Sequence, residues 1–240
     1  MTSHVNAEHH AGASVITLTR ADKRNALSAD MVEQLLHAVE AAHQKASQVI
    51  VLRGEGRNFC AGFDFGDLES QSEGDLLLRF VRIETLLQCL AQSPCLTVAL
   101  AHGRNFGAGV DLFGACRVRV ASADATFRMP GLKFGLVLGT RRFASIVGVD
   151  RARDILENSR TFSAHDGMAM GFVSEVCEQD QWPQRQASLV EQTEALPAAS
   201  RVQLYDALSS ETPDADLARL VKSAAQPGIK DRIRAYLAGG

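Results

Sequence analysis

Apolar residues run through this chain in two rhythms, and the switches between them mark out its elements. Val15-Ile16-Thr17-Leu18-Thr19 is a β-branched run that stops at a turn beginning with Arg20. Ser28 then offers an N-cap, and Met31, Val32, Leu35, Leu36, Val39 and Ala42 follow at helical spacing. Val49-Ile50-Val51-Leu52 is continuously apolar rather than alternating, the pattern of a strand covered on both faces. A loop over 53–72 carries Gly54, Gly56, Gly62 and Gly66, and 76–90 reads as a helix. After Pro94, residues 95–101 form a second buried strand. The glycine-rich turn 102–109 follows, and 110–115 continues as a helix. A short strand at 118–120, an irregular loop over 127–140 and helices over 140–148 and 151–159 come next. Ser163 caps a short helix before Gly171, and 172–176 is the last strand. From about residue 181 the pattern is helical, punctuated by Pro197, Pro213 and Pro227. This β–α alternation predicts an α/β fold with a helical C-terminal section, divided into a core over 1–180 and a helical region over 181–240.

Composition narrows the classes of partner. The 240 residues suffice for one sizeable core. A net charge of −3 supplies no field to recruit nucleic acid or an anionic membrane. The basic pairs Lys23-Arg24 and Arg141-Arg142 could each hold a phosphate locally. Cys60, Cys89, Cys95, Cys116 and Cys177 are scattered with no C-x-x-C pair, so neither a disulfide framework nor a metal site is expected. The polar, histidine-containing stretch 1–13 lacks the basic and apolar regions of a secretory signal. No apolar run approaches the roughly 20 residues of a membrane span. The expected location is the cytoplasm.

Two loops carry the candidate chemistry. The first is Asn58-Phe59-Cys60-Ala61-Gly62-Phe63-Asp64. The second is His102-Gly103-Arg104-Asn105-Phe106-Gly107-Ala108-Gly109-Val110-Asp111. Glycine-rich turns at the carboxyl ends of buried strands expose backbone N–H groups, and a helix opening there adds the positive end of its dipole. Two N–H groups aimed at one point stabilise an oxyanion, each typically worth roughly 3–4 kcal/mol in the transition state. Cys60 reads as packing, His102 as a structural histidine, and Asp64 as a cap for loop N–H groups. Gly107-Ala108-Gly109 lacks the third glycine of a dinucleotide site.

The F-x-A-G-x-D of 59–64 and the H-G-x-x-x-G-x-G of 102–109, with Asn25-Ala26-Leu27, Met129-Pro130-Gly131 and the stretch 163–173, resemble the crotonase (enoyl-CoA hydratase/isomerase) family. The resemblance runs over 14–176. It implies a crotonase-like spiral of ββα units assembled as homotrimers or dimers of trimers, with 181–240 as the trimerisation region. It implies an acyl-CoA thioester substrate, with coenzyme A as part of the substrate and no permanently bound cofactor. In that frame the N–H groups of Phe63 and Ala108 form the oxyanion hole for a thioester enolate. Lys23, Arg24, Ala26, Ala61 and Asp64 would lie along the coenzyme A.

The pattern also departs from the family. Its hydratases use two glutamates. Asp111 stands at the first position, with a shorter reach, and Gly131 stands at the second and cannot transfer a proton. An isomerase, which tends to keep the second carboxylate, suffers most from that loss. The expected activity is a lyase or isomerase of this family in which Asp111 alone serves as acid/base. A decarboxylase, a hydratase using a water in place of the second glutamate, and a non-catalytic acyl-CoA-binding or interaction protein are the alternatives. Phe63, Phe65, Phe106, Phe134 and Phe143 are candidates to line an apolar acyl pocket.

Overall fold

The computed structural model describes residues 3–10 and 12–239. Met1, Thr2, Ala11 and Gly240, which fall within the expected signal-free stretch and domain limits, lie outside them.

Among the described residues, nine strands form two sheets. The larger is built from β1 (Val5–His10), β2 (Ala13–Leu18), β3 (Val49–Gly54), β4 (Leu96–Ala101), β6 (Val118–Ala121) and β9 (Glu175–Val176), in the order β1-β2-β3-β4-β6-β9. Only the β1–β2 pair is antiparallel. The smaller sheet holds β5 (Arg104–Phe106), β7 (Thr126–Arg128) and β8 (Phe162–Ser163). From β4 onward chain order twice passes from the larger sheet to the smaller, through β5 and through β7, and then into a helix, the ββα unit of the predicted spiral.

The continuous apolarity of the central strands has the expected cause. Ile16, Leu18, Ile50, Leu52 and Ala99 face one core, against α1 (Ala29–Gln44) and α2 (Glu73–Ala91). Val49, Val51, Val98, Leu100 and Val120 face a second core that Trp182 and Leu189 of α7 (Trp182–Glu194) cover. The sheet is thus buried on both sides. Ser28 Oγ accepts from Met31 N–H at 3.3 Å and caps α1. Ser163 and Asp166 close a capping box on α6 (Ala164–Ala169).

Three differences from the sequence reading matter here. The polar segment β1 is a strand, an edge paired along its whole length with β2. The loop 127–140 begins inside β7, in the second sheet. The strand expected over 172–176 shortens to Glu175–Val176, because the N–H groups of Phe172 and Val173 bond back to Gly167 O at 2.8 and 3.0 Å.

The remaining helices are α3 (Ala108–Gly114), α4 (Thr140–Val147), α5 (Val149–Asn158), α8 (Ala198–Leu208), α9 (Pro213–Ala224) and α10 (Ile229–Ala238). Both α9 and α10 turn back onto the core: Leu220, Ala224, Ile229 and Ile233 are buried in the same cluster as Ile16 and Leu52. No helix of the described residues is long and apolar enough to cross a membrane.

Candidate active site

The two glycine-rich loops meet. Phe106 N–H donates to Cys60 O at 3.3 Å, and Cys60 N–H donates to the Asn105 side chain at 3.3 Å. Gly62, at φ +85°, packs so closely that a Cβ there would lie 2.3 Å from Phe106 O and 3.3 Å from the Ala108 nitrogen. Only glycine permits that approach.

The contact sets Phe63 and Ala108 side by side in one wall. Leu27 grips the backbone on either side of Phe63: its N–H donates to Gly62 O at 2.7 Å and its carbonyl accepts from Asp64 N–H at 3.2 Å. In such a bridge the intervening N–H points away from the partner strand. Arg79, from α2, fixes the same turn by donating to Leu27 O and Asp64 O at 3.1 and 2.8 Å, with its guanidinium 3.9 Å from the Phe63 ring centre. Ala108 is the first residue of α3, where an N–H has no intrahelical acceptor. Neither N–H has a hydrogen-bond acceptor among the described residues.

Both residues line a chamber of about 240 Å³. Phe63, Phe65, Phe106 and Phe134 are in its wall, as expected, with Tyr236 of α10 beside them. Phe143 is not. It packs with Phe162 and Phe172 at 6.1 and 5.1 Å, on the far side of Asp111.

Asp111 reaches the chamber from the first turn of α3 and is nearly buried. Its Oδ1 is buried with no hydrogen-bond partner among the described residues. Burial pushes its carboxyl well above the ordinary 3.8; Arg142 opposes that shift and Glu84 adds to it. Burial therefore favours the neutral form of Asp111 over the charged one. Gly131 also faces the chamber, and among the described residues no carboxylate besides Asp111 lines it.

The expected coenzyme A residues divide. Arg24 and Ala61 line both the chamber and a groove of about 400 Å³ that continues from it. Lys23 and Ala26 lie on the neighbouring turn and line neither. Asp64 is turned away: its carboxylate takes Gly66 N–H at 2.9 Å and the Arg20 guanidinium. Burial works to raise its pKa, but these two donors hold it below the usual value. It acts as the cap expected for that loop. Sequence reasoning missed Arg57 and Arg104, which flank Arg24 in the groove.

Other candidates are structural. Cys60 is buried, donates to Asn25 O at 3.1 Å, and has its thiol pushed up to about 12 by burial. His102 donates from Nε2 to Gly56 O at 2.9 Å. Arg141 and Arg142 do not offer a phosphate site, because Glu211 and Asp216 occupy them.

Residues 8–226 match the family model described as enoyl-CoA hydratase/isomerase. The chain belongs to that family. The Mycobacterium tuberculosis protein named "Probable enoyl-CoA hydratase echA6" is 37% identical over 162 residues, which cover 64% of this chain and 64% of that protein. Human mitochondrial methylglutaconyl-CoA hydratase is 28% identical over 179 residues, covering 72% of this chain and 53% of its own length. The chain thus spans less than two thirds of the length of either relative. Among solved structures, a Bordetella parapertussis protein provisionally named an enoyl-CoA hydratase/isomerase is 56% identical, with 99% of each chain covered and a TM-score of 0.97. The enoyl-CoA hydratase of Bacillus halodurans, 23% identical over 97% of this chain and 100% of its own, shares the fold with a TM-score of 0.86.

Proposed function

We propose that this family member is an acyl-CoA thioester enzyme that holds the thioester carbonyl between the N–H groups of Phe63 and Ala108 and uses Asp111 as its acid/base. The observation that carries the reading is the pair of unpartnered N–H groups beside a buried, unpartnered carboxyl in one apolar chamber. Negative charge developing on the carbonyl oxygen would be met by two fixed donors in a largely apolar chamber. The acyl chain would occupy the chamber, and the coenzyme A would run out past Ala61 and Arg24 into the groove, where Arg57 and Arg104 supply positive charge for its phosphates. Coenzyme A enters as part of the substrate, and a permanently bound cofactor has no role in this scheme.

Burial that favours the neutral form of Asp111 suits it to giving a proton to an enolate more than to taking one from water. That favours a decarboxylase as the second reading. The bond from Cα to the carboxylate breaks, CO₂ leaves, the electron pair passes into the thioester enolate, and Asp111 protonates Cα. No second carboxylate is needed, in keeping with Gly131.

The test gives the protein crotonyl-CoA and, separately, a carboxyacyl-CoA, following loss of the enoyl-thioester absorbance and release of CO₂, with Asp111→Asn alongside. Turnover of either that the substitution abolishes supports the enzyme. Binding of both thioesters with turnover of neither replaces it with a non-catalytic acyl-CoA-binding protein.

The assembly we propose is a homotrimer or a dimer of trimers, in the cytoplasm. Leu196, Leu204 and Leu208, exposed in the C-terminal region, are apolar surface for such contacts. A monomer in sedimentation would reject the assembly.

A further inference from the structure

Behind Asp111, on the side away from the acyl chamber, lies a buried charge cluster that the proposed chemistry does not use. Arg142, on α4, is 5% exposed. Its Nη2 lies 2.8 Å from Glu211 Oε2 and 3.5 Å from Oε1 of Glu84, which α2 contributes and which is 1% exposed. Its Nε donates to the same Glu211 oxygen at 3.3 Å.

Asp111 and Arg142 line one small void of about 10 Å³ with Gly139 and Phe143. That volume is at the lower limit of what a water molecule requires, so little can screen the two groups from each other. Gly139 closes the wall: a Cβ there would lie 1.9 Å from Asp111 Oδ1, and α4, which carries Arg142, begins at the next residue.

The charges around the void do not balance. Arg142 faces three carboxyl groups, Asp111, Glu84 and Glu211. Arg141 shares Glu211 at 3.0 Å but also holds Asp216 at 2.7 Å, and Arg219 reaches Asp216 at 3.1 Å. Arg142 is thus the cation that faces Asp111, and Glu84 and Glu211 compete for it. Glu211 sits in the turn before α9, so this guanidinium links the C-terminal section to the far side of Asp111.

We propose that Arg142 is a positioning residue whose sharing among Glu84, Glu211 and Asp111 sets the protonation state of Asp111, so that the C-terminal section controls the proton donor of the site. The significance for turnover rests on the reading of Asp111 given above; the charge coupling itself does not.

The signs are fixed by the charges. Neutralising Glu211 removes a negative charge and leaves Arg142 freer to act on Asp111, so the Asp111 midpoint falls. Removing Arg142 takes away the one facing cation, so the midpoint rises. A purely structural cluster behaves differently, because loosened packing admits water and lowers the midpoint in both variants.

The experiment is an infrared titration of the whole protein, with the Asp111 carboxyl band assigned by its loss in Asp111→Asn. Glu211→Gln is expected to lower the midpoint, and Arg142→Met to raise it, each by about one pH unit. Arg142→Lys keeps the charge and is expected to stay between wild type and Arg142→Met. If Arg142→Met does not fold, Glu211→Gln and Glu84→Gln, both expected to lower the midpoint, and Arg142→Lys, expected to raise it, still decide the matter. Midpoints that stay put, or that move the same way in the arginine and glutamate variants, overturn the proposal. The readout needs no substrate, so opposite shifts in a protein that turns over no thioester would sink the catalytic reading and leave the coupling standing.

Discussion

Gly139 stands against the carboxylate of Asp111: a Cβ at residue 139 would fall 1.9 Å from Oδ1 and 2.5 Å from Cγ. The backbone there is left-handed, with φ +63°. Glycine at this point lets α4 start directly behind the acid and bring Arg142 up to it. Any side chain must displace either the carboxyl or the helix.

Gly139→Ala is therefore expected to fold less stably by about 2 kcal/mol, combining left-handed strain with overpacking. Urea unfolding measures this. The same substitution should disable whatever chemistry Asp111 performs. A variant of wild-type stability and activity would mean that the wall is softer than its geometry says.

Asp111 itself makes stability depend on pH. Its folded pKa is raised above the unfolded value, so the neutral form is favoured in the native state. Its favourable contribution is fully present below the unfolded value near 3.8 and is lost as pH rises through the folded pKa. Asp111→Asn cannot ionise. The melting temperature of the variant minus that of wild type should therefore grow as pH rises from the unfolded value near 3.8 through the folded pKa. A difference that is flat over this window would show that Asp111 is not protonated by its burial.

What the sequence disclosed and what it hid divide along contact range. The glycines of 62 and 107, the doubly covered strands and the serine caps are local signals, and each appears where the pattern put it. The polar β1 carries no strand signal of its own, and its pairing with β2 orders it. The three-residue strands β5 and β7 are too short to show a period. Arg79 and Arg142 escaped for another reason. Their partners lie far along the chain: Arg79 grips Leu27 O and Asp64 O, and Arg142 meets Glu84 and Glu211. The pair Arg141-Arg142 looked like a phosphate cradle because the carboxylates that occupy it lie some 70 residues downstream.

The arginine-flanked groove offers a test of which way the substrate lies. Arg57 and Arg104 are exposed and flank Arg24 there. Replacing both with alanine should weaken binding of an acyl-CoA about tenfold, with a weaker dependence on salt. An acyl-pantetheine thioester, which lacks the phosphates, should bind the variant and wild type alike. Equal loss for both ligands would place the phosphates elsewhere.

Gly131 is the position at which a second carboxylate can be restored. It opens the turn after Pro130 and lines the same chamber as Asp111. Its backbone is not left-handed, and a Cβ there would meet Leu136 O at 3.3 Å. That contact is tight but requires the neighbouring turn to give by only a few tenths of an ångström. A glutamate at 131 would then project a carboxyl toward the reacting carbons. Hydration needs one group to take a proton from water and another to give one to Cα, and general acid/base catalysis contributes about 10² to 10⁴-fold. Gly131→Glu is therefore expected to raise crotonyl-CoA hydration at least about tenfold over wild type, and Asp111→Asn in that background should remove the gain. If the glutamate variant folds, binds crotonyl-CoA and hydrates it no faster, the missing carboxylate is not what separates this protein from a two-glutamate hydratase. The shorter reach of Asp111 would then be the difference, to be checked with Asp111→Glu in the same background.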